Sequence, residues 1–221
     1  MDETVIENAW MMHCWLALSL LGSMAVMGPA GLAVGVWLAA GQYWRLAFNW
    51  CLLFGAGMAL VVATKIAFIG WGIGVHSLQF AGFSGHAMRA GAVLPVFLFV
   101  LLKEAGVFWR RAGVLAGCVV AILITMSRLV LGYHSTSEAV TGCLLGFMVA
   151  FAFIWLAGAG RDFAISRGLV ALSFGSLLFT PRAEPVPTEQ LITRAALFMS
   201  GHERPFSRYD WKVEQEHYLE R

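Results

Sequence analysis

The chain has 221 residues, 59% of them hydrophobic and 13% charged, with a formal net charge of +2 and a mean hydropathy of +0.74. A soluble domain carries about 25% charged residues, and the cores of a soluble fold of this length cannot hide so much apolar side chain, so the composition reads as a membrane protein. The weak net charge gives no footing for nucleic acid as a partner.

The opening stretch, "MDETVIENAW", is acidic and lacks the positive n-region of a secretory signal, so the first apolar segment is read as retained. A membrane span needs about 20 apolar residues. In chain order the predicted spans begin with 16–40, uncharged and with a bend expected at Gly28-Pro29, and 46–64, which ends at Lys65. A short third span, 86–102, carries Arg89 near its start, and the fourth, 112–131, carries Arg128 near its end. The fifth covers 139–160, and a weaker sixth covers 163–180 with Arg167 inside it. Residues 181–221 are polar, with prolines at 181, 185, 187 and 205, and read as a soluble tail. The expected fold is all-α: a polytopic helix bundle of about six transmembrane helices within residues 1–180, followed by a polar C-terminal tail over 181–221. Cys14, Cys51, Cys118 and Cys143 stand singly in apolar runs, which points to small buried hydrophobes rather than a disulfide framework or a zinc site.

Basic residues in short loops set orientation. Arg45, the group Lys103, Arg110 and Arg111, and Arg161 fall on one side of a six-span chain, the expected cytoplasmic side. The acidic N-terminus and the loops 65–86 and 131–138 then face outward, as does the tail if the sixth segment spans. Three outward places carry ionisable residues: Lys65, the stretch "FSGHAMR" from Phe83 to Arg89, and "SRLVLGYHSTSEA" from Ser127 to Ala139. Charges close to the membrane are costly unless they are paired or functional. Lys65 and Arg128 are cations suited to an anion, and Arg grips phosphate bidentately. Ser84 and Gly85 precede His86 at an expected helix N-terminus, where free N–H groups favour an anion. His134 and Glu138 stand four apart, so a helix places them on one face, and a carboxylate on one ring nitrogen leaves the other free to attack. Anion-binding groups, an oriented nucleophile and a second histidine for proton transfer describe phosphoryl transfer without a metal or cofactor. His13, His202 and His217 lie outside this set and carry no assigned chemistry. The nine tryptophans read mostly as an interfacial belt.

These residues resemble the type 2 phosphatidic acid phosphatase superfamily of integral membrane lipid phosphatases. Ser127-Arg128, His134 and Glu138 are similar to its S-R-x5-H-x3-D motif with Glu for Asp, and Ser84-Gly85-His86 follow its P-S-G-H motif with Phe83 in place of proline. Lys65 fits its K-x6-R-P motif, but Gly72-Ile73 stand where Arg-Pro is expected. The resemblance covers roughly residues 15–160. It implies that His134 is the nucleophile, forming a phosphohistidine, that Glu138 orients it, and that His86 protonates the leaving group. Lys65, Ser84, Gly85 and Arg128 would hold the phosphate oxygens, and Arg89 or His76 is the candidate to replace the missing arginine.

The leading expectation is a multi-pass hydrolase of a lipid phosphate or diphosphate, its tail left in the bilayer, acting at the outer face of the cell membrane (the inner membrane in a bacterium). Phosphatidic acid, phosphatidylglycerol phosphate and polyprenyl diphosphate present the same terminal phosphate. The alternatives are a lipid phosphotransferase with the same phosphohistidine and a non-catalytic lipid-phosphate binder or transporter.

Overall fold

The computed structural model describes residues 3–158, 168 and 188–211, with the backbone alone for residues 3–9. Seven α-helices are bounded among the described residues: α1 Glu3–Leu21, α2 Met24–Ala40, α3 Trp44–Trp71, α4 Gly85–Leu101, α5 Val107–Val130, α6 Thr136–Gly158 and α7 Thr188–Ser200. Among the described residues no strand occurs beyond an isolated antiparallel bridge between Val75 and Phe80. Four stretches among the described residues are long and apolar enough to cross a membrane: Trp10–Ala40, Trp44–Trp71, Val107–Val130 and Thr136–Gly158. The expected sixth span, 163–180, lies outside the described residues, as does Arg161.

The expected short third span is α4, and it is the hub. It packs against α2, α3, α5 and α6 and buries nearly its whole surface, from Gly85 through Val100. At 17 residues it is about 26 Å long, shorter than a hydrocarbon core of about 30 Å; enclosure by neighbours rather than length accounts for its place. Two glycines on α6 permit that enclosure. A Cβ at Gly142 would stand 2.7 Å from the Ser84 carbonyl oxygen, and one at Gly146 would overlap the Met88 carbonyl oxygen. The "GCLLG" stretch is thus a small-xxx-small seam that lets two helices touch backbone to backbone. Large apolar side chains point the other way, toward lipid: Phe48, Leu52 and Leu60 on α3, Leu115 and Val119 on α5, Leu144, Met148 and Trp155 on α6.

Two spans differ from their predicted outlines. The first is not bent at Pro29, which α2 accommodates inside its helix; the break falls at Gly22-Ser23. A helix end leaves carbonyls without intrahelical partners, and the Gly22 carbonyl there accepts a hydrogen bond from Arg89 Nη2 at 3.4 Å. The second span does not stop at Lys65 but continues as α3 to Trp71. It is terminated by Gly72, whose left-handed backbone (φ 70°) turns the chain so that its own N–H and that of Ile73 bond the Phe68 and Ala67 carbonyls.

The helix directions sort the ionisable residues by end. The C-terminus of α3 and the N-termini of α4 and α6 share one end with Arg128, in the last turn of α5. Arg45, Lys103, Arg110 and Arg111 belong to the opposite helix ends. The tail is not a free extension: α7 lies along α3, with Ala196 and Ser200 against Gly70.

Candidate active site

His134 is held on a tight turn between α5 and α6. The amides of Leu131, Gly132 and Tyr133 bond back to the Ser127, Leu129 and Arg128 carbonyls, and left-handed Gly132 (φ 69°) makes the reversal. From there Nδ1 of His134 lies 2.9 Å from Glu138 Oε2, one turn on in α6. Glu138 is 2% exposed. Its Oε1 accepts the Ala81 N–H at 2.8 Å, and its Oε2 also accepts the Ser135 N–H at 3.2 Å and a short contact from Arg208 Nη2. An ionised carboxylate only accepts, so it fixes the imidazole proton on Nδ1 and leaves Nε2 with its lone pair.

The first turn of α4 sits beside this pair. Ser84 is its buried N-cap, accepting from the Ala87 N–H at 3.5 Å, while the Ser84 N–H donates to the Glu138 carbonyl at 3.1 Å. That bond pins the Ser84-Gly85-His86 turn to the start of α6. Behind it, Arg89 Nη2 meets His86 Nδ1 at 3.4 Å. Arg128 donates through Nη1 to Ser19 Oγ at 2.6 Å and places its guanidinium 4.2 Å from the Tyr133 ring centroid. The Nε groups of Arg89 and Arg128 are buried and have no hydrogen-bond partner among the described residues. A buried donor left without a partner is costly, and an anion is the complement that two such donors lack.

A cavity of ≈ 230 Å³ opens at this end of the bundle, and Lys65, Tyr133, His134, Glu138, Glu189 and Arg208 line it. Lys65 Nζ donates to Glu189 Oε1 at 2.9 Å. The lysine charge, first, and its hydrogen bond hold the Glu189 carboxyl below its ordinary pKa. Of the residues singled out from sequence, Lys65, His134 and Glu138 reach the cavity wall. Ser84 and Gly85 join them through the Ser84–Glu138 bond, and Arg128 through Tyr133. His86 and Arg89 stand together one layer deeper, beside Gly22. His76 is elsewhere; its ring packs edge-on against Trp211 at 5.4 Å.

Glu189 and Arg208 escaped the sequence reading altogether. Both belong to the stretch expected to be a soluble tail, where an isolated Glu or Arg carries no periodic or motif signal. The segment after α7 is anchored at the end of α3: the Phe206 N–H donates to the Ile69 carbonyl at 2.8 Å, and His202 Nδ1 meets the Gly70 carbonyl at 2.7 Å. Trp211, buried, packs on Phe68 at 4.9 Å.

Comparison with known proteins gives the family and the fold. The PAP2 superfamily model matches residues 67–161, which include every expected site residue but Lys65. An uncharacterized 22.5 kDa protein of the cps region of Klebsiella pneumoniae is 36% identical over 201 residues, covering 89% of this chain and 96% of that one. Phosphatidylglycerophosphatase B of Bacillus subtilis is 34% identical over 80 residues, 35% of this chain and 39% of its own. The crystal structure of a transmembrane PAP2-type phosphatidylglycerolphosphate phosphatase from Bacillus subtilis superposes with a TM-score of 0.56 at 23% identity, over 70% of this chain and 80% of that one, so the two share a fold. With its apolar helices gathered around an Ser84-Gly85-His86 turn and a His134–Glu138 pair, this multi-pass membrane protein belongs to the PAP2 superfamily.

Proposed function

We propose that the protein hydrolyses the terminal phosphate of a lipid phosphate or diphosphate through a phosphohistidine on His134, at the outer face of the cell membrane. The observation that carries this is the 2.9 Å contact between His134 Nδ1 and buried Glu138 on the wall of a cavity that also holds Lys65. A binder needs cations; it does not need an imidazole whose proton is fixed so that the opposite nitrogen is free. In the first step Nε2 of His134 attacks phosphorus, the bond to the leaving oxygen breaks, and His86 supplies a proton to that oxygen. Arg89, 3.4 Å from His86 Nδ1, orients the ring; His86 enters this step as imidazolium and leaves it as neutral imidazole. In the second step water attacks the phosphohistidine, His86 takes up its proton, and His134 is released with inorganic phosphate. Developing charge on the equatorial oxygens is met by Lys65, Arg128 and the N–H groups at the start of α4, including Gly85, with Ser84 as its cap. These groups supply the electrostatic stabilisation, so the reading requires no metal. The catalytic unit comprises helices within residues 1–180, and the described tail residues 188–211 close one side of its cavity.

The relatives named as phosphatidylglycerophosphatases make phosphatidylglycerol phosphate the first substrate to try. The purified protein is expected to release phosphate from a panel of this lipid, phosphatidic acid and polyprenyl diphosphate. Rapid quenching with a labelled substrate should trap an acid-labile, base-stable phosphoprotein. Release from no member of the panel, with no trapped label, would sink the hydrolase reading and put the binder first.

A further inference from the structure

The geometry points to Arg208, delivered by the segment after α7, as a phosphate-contacting residue that supplies the cation missing from the first motif. This rests on the hydrolase reading for its context. Position 72, where the arginine of K-x6-R-P is expected, cannot carry one here. Its backbone is left-handed, and a Cβ on it would stand 2.9 Å from the Phe206 ring. The segment that fills the space over Gly72 is the same one that brings in Arg208, two residues later.

Arg208 is well placed for the role. Anchors flank it on both sides: the Phe206 N–H to the Ile69 carbonyl at 2.8 Å before it, and Trp211 on Phe68 at 4.9 Å after it. The Ser207 N–H and hydroxyl both donate to Asp210 Oδ2, at 2.7 and 2.8 Å, which rigidifies the turn carrying it. Its Nη2 rests on Glu138 Oε2, the same oxygen that His134 Nδ1 uses, so the guanidinium lies next to the nucleophile's ring. A guanidinium has five N–H donors in a fixed fork. One arm is on Glu138, and the rest make no hydrogen bond among the described residues; the side chain is 40% exposed and lines the same cavity as Lys65. An arginine so held can keep one edge on the carboxylate and turn the other to a phosphate oxygen, as a lysine's single point charge cannot. Nor does Glu138 need it for placement, since the Ala81, Ser135 and His134 donors already fix both carboxylate oxygens.

Two measurements on the full chain in detergent micelles test the assignment: calorimetric titration with inorganic phosphate, and kcat and KM on a lipid phosphate. Arg208→Ala is expected to weaken phosphate binding by about 10–100-fold, the range of a charge-assisted hydrogen bond, and to raise KM by a similar factor with a smaller change in kcat. Arg208→Lys, which keeps the charge but not the fork, should recover part of the affinity, and it serves as the decisive variant if Arg208→Ala does not fold. Unchanged phosphate affinity in both variants, or a fall in kcat alone, would overturn the assignment and leave Arg208 as a positioning residue for Glu138. A wild-type chain that binds phosphate yet hydrolyses no lipid phosphate would end the hydrolase reading instead, while the calorimetry would still decide Arg208.

Discussion

Glu138 accepts from four donors, and three of them, His134, Ser135 and Arg208, converge on one oxygen. That asymmetry decides what a conservative substitution does. In Glu138→Gln the amide oxygen takes the crowded position and the NH2 faces the Ala81 N–H, so His134 keeps its orientation but loses the negative charge that stabilises its cationic form during attack. A fall in kcat of about 10²-fold or more is expected, the scale of a positioned acid–base partner, with phosphate affinity little changed. His134→Ala should abolish turnover and the trapped phosphoprotein while leaving phosphate binding largely intact, because Lys65 and Arg128 remain. His86→Ala separates from both by leaving group: a nitrophenyl phosphate, which needs little proton donation, should be partly spared where a lipid phosphate is not. Equal losses on the two substrates would remove His86 from the proton-transfer role. Histidine-Glu spacing exposed this part of the site from sequence alone, because an i, i+4 pair is a local relation that a helix start realises wherever it is packed.

At the scale of elements, the α4–α6 seam and the docking of α7 govern the cavity. Gly142 lies against Ser84 and Gly146 against Met88, so a side chain there drives α4 away from α6. Gly142→Val is expected to break the Ser84–Glu138 bond, lowering both the thermal midpoint and activity, whereas Gly158→Ala, with nothing within 4 Å of its Cβ, should change neither. Similar behaviour of the two variants would deny the seam its role. On the other wall, Glu189 occupies Lys65 at 2.9 Å, and an incoming phosphate must displace it. Glu189→Gln should therefore lower KM by about 1.5–5-fold, the worth of an exposed ion pair, and an unchanged or raised KM would contradict the competition. The Glu189 carboxyl is held below its ordinary pKa by Lys65. A depressed carboxyl contributes to docking at pH values above its unfolded pKa and loses that contribution as pH falls through the folded one. Proteolysis of the α7 segment should thus accelerate below the normal carboxylate range in the wild type, and show a weaker pH response in Glu189→Gln.

For the whole molecule, the separation of charges by helix end carries the topology. The site residues gather at one end and Arg45, Lys103, Arg110 and Arg111 at the other, and the outward-facing site proposed above rests on reading the second group as cytoplasmic loops. With the native cysteines removed, a cysteine at exposed Ser77 should react with an impermeant reagent from outside and one at exposed Ala105 should not. The reverse labelling would place the site, and its substrate, at the inner leaflet. Chelation is a second check on the molecule as a whole: hydrolysis should survive EDTA, and complete loss restored by zinc or magnesium would replace the phosphohistidine route with metal-assisted attack.

What the sequence determined by itself was what depends on short-range pattern. Apolar runs gave helices within a few residues of α4, α5 and α6, because a backbone in lipid must satisfy its hydrogen bonds inside the helix. The ends of those runs gave the ionisable residues, because charge is costly anywhere deeper. The tertiary structure alone decided the rest. The break at Gly22 meets Arg89, 67 residues away, and Lys65, inside α3 rather than at its end, takes Glu189 as its partner, 124 residues on. The cavity wall is completed by Arg208, 70 residues beyond the carboxylate it touches. None of these contacts leaves a trace in spacing or composition, since each joins residues that only the packing of α3, α4, α6 and α7 brings within reach of one another.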